Sequence, residues 1–457
     1  MPSKAARIGT IVLTARLARD ERGAALVLAL MVLLTLTGLA LAILSVSAFE
    51  AQISRNHNDT VRARYVAEAG IEYAYDTLAT NVSSWNTYLA GATCLQGAVL
   101  GTANSSLPGL GSVHGTFTVR VRNDCNAGDD KLTGVGLDTI TGHCAEVAGT
   151  ATLDANCRVI VTSTGTIGNT TRTITVVVAK PGVPATNAAL AFPGIQADVN
   201  LIGPSVVIDG RDTKMADNPG APTGTAPAVY GISVNGTLPA LAVQVENALG
   251  NSQQTSVRGR DETNSGGTTQ GAGTIQADGA LTSQAIIDFL AAVRSMADIT
   301  INTSPGNTHS ISNIGSTCST DVKSSTCWGT TSRPKIVYIS GTLSGISTQY
   351  TSLIISGDST GTGILIIENG NVEISGNFRW NGPIIVSGTN VGIRYRGDGT
   401  QSVYGATVIN ELHDDGASNL EGDIQGTSSI LYSRETLDLV QTGLGRRLVT
   451  TYGWTDQ

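Results

Sequence analysis

Residues 23–49 read GAALVLALMVLLTLTGLALAILSVSAF, twenty-seven positions without a charge. As a helix rising 1.5 Å per residue the run is about 40 Å long, more than the roughly 30 Å hydrocarbon core of a bilayer. Only Thr35, Thr37, Ser45 and Ser47 interrupt it, and in a helix their hydroxyls can bond back to backbone carbonyls. So long an uncharged run does not suit the core helix of a soluble domain; the expectation is a membrane span over 24–49. Residues 1–22 carry five bases (Lys4, Arg7, Arg16, Arg19, Arg22) against two acids, and Glu50 is the first charge on the other side. By the positive-inside rule the N-terminus stays in the cytoplasm and some 400 residues are exported. A cleaved secretory signal is the competing explanation, yet the apolar run is about twice the length of an ordinary signal core.

The next stretch, EAQISRNHNDTVRARYVAEAGIEYAYDTLAT (50–80), has no proline. Ala63, Ala67, Ile71, Ala74 and Leu78 recur at helical spacing, with Val61, Tyr65 and Tyr75 beside them. Arg62, Arg64, Glu68, Glu72 and Asp76 are left for the wet side. The spacing predicts one helix over 24–80, roughly 85 Å long. Its outer half needs a surface to pack on.

Arg22-Gly-Ala-Ala-Leu-Val27, LMVLLTLTGLA, Glu50 and RNHNDTVRARYVAEAGIEYA together resemble the N-terminal domain of PilX-type type IV pilus assembly proteins, a pilin-like family. The resemblance covers about residues 20–80 and extends loosely to about 180. It rests on a basic leader (1–23), a glycine at its end, one long apolar helix and the segment Ala67-Glu68-Ala69. It implies that a prepilin-type peptidase cuts after Gly23 and leaves Ala24 as the new terminus. Major pilins of this arrangement carry Glu as the fifth residue after the cut; this chain has Leu28. A lone carboxylate in hydrocarbon is costly unless paired, so Leu28 removes both a cost and an assembly handle. Leu28, Glu50 and Glu68 are thus the helix positions that bear on assembly.

Residues 81–180 are expected to form a small antiparallel sheet lying against Ile71, Ala74 and Leu78. GTFTVRVRND (115–124) alternates, CRVIVTSTGTIGNTTRTITVVVAKP (157–181) gives two alternating runs about a Gly-Asn turn, and 146–153 is a further candidate strand. Residues 181–184 mark a linker. Over 185–432 short apolar runs such as IVYISG (336–341), GILIIENGNVEISG (363–376) and PIIVSGTNVGIRYRG (383–397) end at Gly, Asn or Asp, with no fixed sequence period. ALAVQVENALG (240–250) is counted among these runs. Glycine-cornered strands poor in aromatics suit an all-β domain, a right-handed parallel β-helix, with a β-sandwich as the alternative. An amphipathic helix over 281–298 and a C-terminal segment, 433–457, are expected to cover the ends of the stack. Ser433 would cap a short helix there, and Tyr452 and Trp454 would anchor it. The fold class is therefore an α+β pilin-like part, long helix plus small antiparallel sheet, followed by this all-β domain.

All six cysteines follow the span, which suits disulfides in an oxidising compartment. Cys318 and Cys327 are the favoured pair. For Cys94, Cys125, Cys144 and Cys157 three pairings remain, the sequential one being a guess. No C-x₂-C zinc pattern occurs.

Catalytic motifs are missing: there is no P-loop, no H-E-x-x-H and no G-x-S-x-G. Neither a catalytic residue nor a cofactor is assigned. Asp209, Asp212 and Asp217, and separately Asp124, Asp129 and Asp130, are candidate calcium carboxylates, although neither stretch matches an EF-hand loop. His413-Asp414-Asp415 reads as a solvated turn, and Arg396-Gly397-Asp398 is a tripeptide that composition alone supplies. Glu368, Glu373 and Asp398 would support carbohydrate chemistry only if they converged in one groove. The chain's formal charge is −8, and −11 without its first 22 residues, which excludes a nucleic-acid partner.

The expected function is a structural component or assembly factor of a type IV pilus-like filament, with an exported adhesive head. Its partners would be the membrane, pilin-like subunits and the pilus machinery, with a surface or carbohydrate ligand at the head. It would lie in a bacterial inner membrane facing the periplasm, or outside the cell in a pilus. The alternative is an anchored β-helical surface protein that never enters a filament.

Overall fold

The structure, a computed structural model, describes residues 9–82, 85–109, 111–134, 136–138, 150, 152–181, 184, 186–262, 272–342, 350–413 and 420–456. Side chains are described from Gly23 onward, except at positions 48, 272 and 452. The start of the basic leader, part of the 181–184 linker, Cys144, most of the candidate strand over 146–153, and Asp414 and Asp415 lie outside the described residues.

One helix runs unbroken from Gly9 to Thr80. Alanine and leucine dominate its first half and no proline interrupts it, so propensity and hydrogen bonding agree throughout. In its second half Ala63, Ala67, Ile71, Ala74 and Leu78 are buried, and Val66 joins them. Tyr65, expected beside the stripe, instead faces outward at 64% exposure.

The surface that covers the stripe is an antiparallel sheet. Its order is Ala98–Val99, Thr116–Asn123, Arg158–Ile167, Thr170–Ala179 and Thr450–Asp456, with Ser105–Ser106 also on the second strand. Gly168, at φ 57, opens the two-residue turn of the central hairpin, where a positive φ favours glycine. Close approach explains a second glycine. A Cβ on Gly165 would lie 2.3 Å from the Ala63 carbonyl oxygen and 2.4 Å from the Ala67 nitrogen. Small residues on both elements let sheet and helix backbones touch.

The rest is parallel. Among the described residues an eleven-stranded sheet faces a six-stranded one, and every pairing in both is parallel. This overturns the β-sandwich alternative, which needs antiparallel neighbours. From Ile299–Asn302 to Thr427–Tyr432 the chain alternates between the two sheets, and each strand pairs with the strand two places on. Leu365 lies beside Ile384, nineteen residues later, whereas Val403 lies beside Ile430, twenty-seven later. Connections of unequal length thus hide the repeat from the sequence. At one corner Gly363, Gly382 and Gly405 succeed one another with φ of 141, 129 and 150°. A Cβ on Gly382 would lie 2.1 Å from the Gly363 carbonyl oxygen, so only glycine fits there.

The larger sheet is apolar on both faces. Val337, Ile339, Leu365 and Ile367 pack inward against Leu353, Ile355, Val372 and Ile374 of the smaller sheet. Their neighbours Ile336, Tyr338, Ile364 and Ile366 face outward and share a core with the long helix and the antiparallel sheet. Strands buried on both sides read as continuous aliphatic runs, as IVYI and GILII do.

Three expectations need correction. The 240–250 run is not a strand: Ala240–Ala248 is a helix, because Leu241, Val245 and Leu249 recur every four residues. The Ser283–Val293 helix, capped by Thr282, forms as expected but does not cover a stack end; Ile286, Phe289 and Leu290 lie in the outward-facing core. Nor is 433–457 an end cap. Ser433 does cap the Arg434–Leu448 helix, but Val440, Leu444 and Leu448 join that same core. The chain then returns as Thr450–Asp456, an added strand of the antiparallel sheet beside Thr170–Ala179. Trp454 on it is half exposed, not an anchor.

Candidate functional site: an unpartnered apolar helix

Leucine, valine and isoleucine side chains between Leu26 and Val46 are exposed, and among the described side chains of the helix none is buried before Ala63. Among the described residues Gly23–Thr80 is the one helix long and apolar enough to cross a membrane, and none of its most apolar window is buried. Three of its four hydroxyls bond back to the helix: Thr37 donates to the Leu33 carbonyl at 2.6 Å, Thr35 to Val32 at 2.9 Å and Ser45 to Ala42 at 2.8 Å. Such a surface is suited to lipid or to like helices and unsuited to water.

Gly23, Ala24 and Leu28 lie on this bare helix, Leu28 at 64% exposure, with no Cβ obstacle within 4 Å of Gly23. Glu50 is exposed at the end of the apolar run. Glu68 is placed differently. It accepts from Arg64 Nε at 3.2 Å, and the same nitrogen lies 3.2 Å from Asp456 in the last strand. Glu68 is thus held by Arg64 of its own helix, which also meets the head at Asp456.

Cys94 is bonded to Cys125 and Cys318 to Cys327, with Cα separations of 5.1 and 4.8 Å. Cys157 is also disulfide-bonded. The first bridge ties the loop after the long helix to the end of the Thr116–Asn123 strand.

Asp130 is exposed, and the other five candidate calcium carboxylates have partners within the protein. Asp209 pairs with Arg211 at 2.6 Å; Asp212 accepts from the backbone of Ala226 and Arg434; Asp217 accepts from Lys214 and Thr223. Asp129 pairs with Arg122, and both carboxylate oxygens of buried Asp124 accept from Asn156 Nδ2, while burial pushes the Asp124 pKa up to about 6. Among the described residues no cluster of three or more His, Cys, Asp or Glu is placed to hold a metal ion. Glu368 is taken by Arg294 and Tyr338 beside the Ser283–Val293 helix. Glu373, on the smaller sheet, pairs with Arg396 at 2.7 Å, and Asp398 accepts from the Gly376 N–H. The three carboxylates do not share a groove, and the Arg396-Gly397-Asp398 tripeptide is occupied by its own neighbours.

Comparison with known proteins assigns the helix. Residues 22–72 match the family model described as PilX N-terminal. The N-terminal part of this chain is PilX-like. The match spans the leader's last two residues, the rest of the bare run and the buried stripe as far as Ile71. Among solved structures the chain is similar to the competence-associated pilin ComZ from Thermus thermophilus, at 10% identity over 87% of this chain and 97% of that one. The TM-score is 0.24, and at that level the likeness carries no argument. No curated protein matches.

Sequence reasoning missed what locks the PilX-like helix to the C-terminus. Tyr75 Oη lies 2.6 Å from both the Arg446 and Val449 carbonyl oxygens and shares its one O–H between them, and Arg446 pairs with Asp76 at 2.9 Å. The polar tip of Tyr75, on a flank of the stripe, was the available signal.

Proposed function

We propose that this chain is a minor, non-catalytic component of a type IV pilus-like assembly. Residues 24–49 lie in the membrane and then among pilin helices, and a large exported head is presented at the surface or tip. The observation that carries this reading is the exposed, uncharged run that starts at Gly23, continuous with a helix whose stripe from Ala63 to Leu78 is buried in the head. A buried core helix would have found cover within its own chain; this one requires it from outside. Residues 1–23 are the leader, cut between Gly23 and Ala24. Leu28, in place of an ionised residue, suits a subunit present once at a tip or platform better than one repeated along a shaft. Glu50 marks the outer edge of the apolar layer. The alternating parallel strands are read as a right-handed parallel β-helix, a stiff stalk that holds an adhesive surface away from the membrane. The disulfides support a head exported to an oxidising compartment.

The test is the mature N-terminus in cells with and without the prepilin peptidase. A start at Ala24 that depends on the peptidase, together with co-purification with filaments, is the expected result. Persistence of Met1 in membrane fractions with no filament association would replace this reading with an anchored surface protein.

A further inference from the structure

A cleft of about 470 Å³ opens between the Cys318–Cys327 loop, the start of the Ile299–Asn302 strand and the C-terminal helix. Its size is that of a small-ligand pocket, far larger than one inorganic ion needs. Four cations line it, Lys323, Arg333, Lys335 and Arg447, against one carboxylate, Asp298. That carboxylate is already used. Both its oxygens accept from Arg447 Nη1, at 2.7 and 2.6 Å, and one also accepts from the Ile336 N–H at 2.8 Å. Asp321, the next carboxylate along the loop, accepts from the Lys323 backbone N–H. Lys335 Nζ donates to the Val322 and Cys327 carbonyls, both at 2.6 Å, which leaves one N–H to give. Burial lowers the Lys335 pKa, so an incoming anion would restore what desolvation removes. Lys323 and Arg333 are exposed at the mouth. In a chain whose exported part is strongly acidic, this is a local excess of positive charge held on a disulfide-closed loop.

We propose that the cleft binds an oxyanion-bearing saccharide, one whose rings carry carboxylate or sulfate groups. The cations meet the anionic group, and the Thr330 and Ser332 hydroxyls at the wall meet sugar hydroxyls. No aromatic ring lines the cleft, which disfavours a nucleotide base that would want a stacking surface. The inference deepens the adhesive part of the proposed function by naming a ligand class. It is testable without a filament, so its failure and that of the pilus reading are separable.

The experiment is calorimetric titration of the full-length, detergent-purified protein with oligogalacturonate, a sulfated oligosaccharide and neutral maltotetraose. At least one charged saccharide should bind, more weakly as salt rises, while maltotetraose does not; which of the two binds identifies the oxyanion. Lys323→Ala with Arg333→Ala should weaken binding at least tenfold, and Ser332→Glu should do so independently, with circular dichroism and the Cys318–Cys327 bond unchanged. Equal binding of the neutral sugar, wild-type affinity in both variants, or no binding of either charged saccharide would overturn the proposal.

Discussion

The long helix is two surfaces in one element. Between Gly23 and Phe49 it is apolar on every side and nothing among the described residues covers it; between Ala63 and Leu78 it is apolar on one stripe, and that stripe is buried. Both halves carry apolar side chains, so their presence alone does not say what covers each. Angular distribution does. A stripe implies a partner on one side, here the sheet and the C-terminal helix, whereas an all-round apolar surface implies a solvent that is itself apolar.

The largest effect expected from breaking this contrast is a charge in the bare half. Leu36→Arg, near the middle of the apolar run, should weaken membrane association, since a central arginine costs roughly 2.5–3.5 kcal/mol on insertion and replaces one of the leucines that favour it. Carbonate extraction reads the loss, and the head should keep its wild-type circular dichroism and disulfides. The converse change is Gly165→Val, where the side chain would meet the helix backbone at Ala63 and Ala67. It should destabilise the head by about 3 kcal/mol, a typical upper figure for overpacking, with membrane association intact in thermal-melt and flotation assays.

A third effect lies in the parallel region and depends on pH. Burial pushes the Glu421 pKa up to about 9, its hydrogen bond from Asp198 N–H opposes this, and the neighbouring Glu411 carboxyl adds to it. Its folded pKa is raised, so its contribution to stability is fully present below about 4.5 and is lost as pH rises through about 9. Glu421→Gln should therefore unfold later than wild type at pH 9 and at nearly the same temperature at pH 4. Equal shifts at both pH values would contradict the assignment. The smallest effect is Arg64→Ala. Its pairs with Glu68 and Asp456 are half exposed, so the loss should be below about 1 kcal/mol in denaturant titration.

The helix, its stripe and the three main antiparallel strands were legible because each has a local period, 3.6 or 2. The Cys318–Cys327 pair was legible by proximity in sequence. What stayed hidden was long-range. Thr450–Asp456 alternates weakly and says nothing of its partner Thr170–Ala179, some 280 residues earlier. The glycine corner at 363, 382 and 405 follows no fixed spacing, because the connections between strands differ in length. The Ser283–Val293 and Arg434–Leu448 helices were visible as amphipathic segments, but a hydrophobic face does not name the surface it covers. IVYI and GILII carried the missing signal, since strands apolar on both faces require a second layer. The cationic cleft combines residues from 298 to 447, and no sequence window contains it.

Hydroxyl-radical footprinting of intact membranes, with a detergent-free extract of the span-deleted chain as reference, tests the central claim most directly. Met31 and Tyr65 are equally open on the isolated helix, at 65% and 64% exposure. In membranes Met31 should be protected while Tyr65 is oxidised as readily as in the reference. Oxidation of Met31 at the rate its exposure on the isolated helix implies would mean that the bare run is not embedded in an apolar phase.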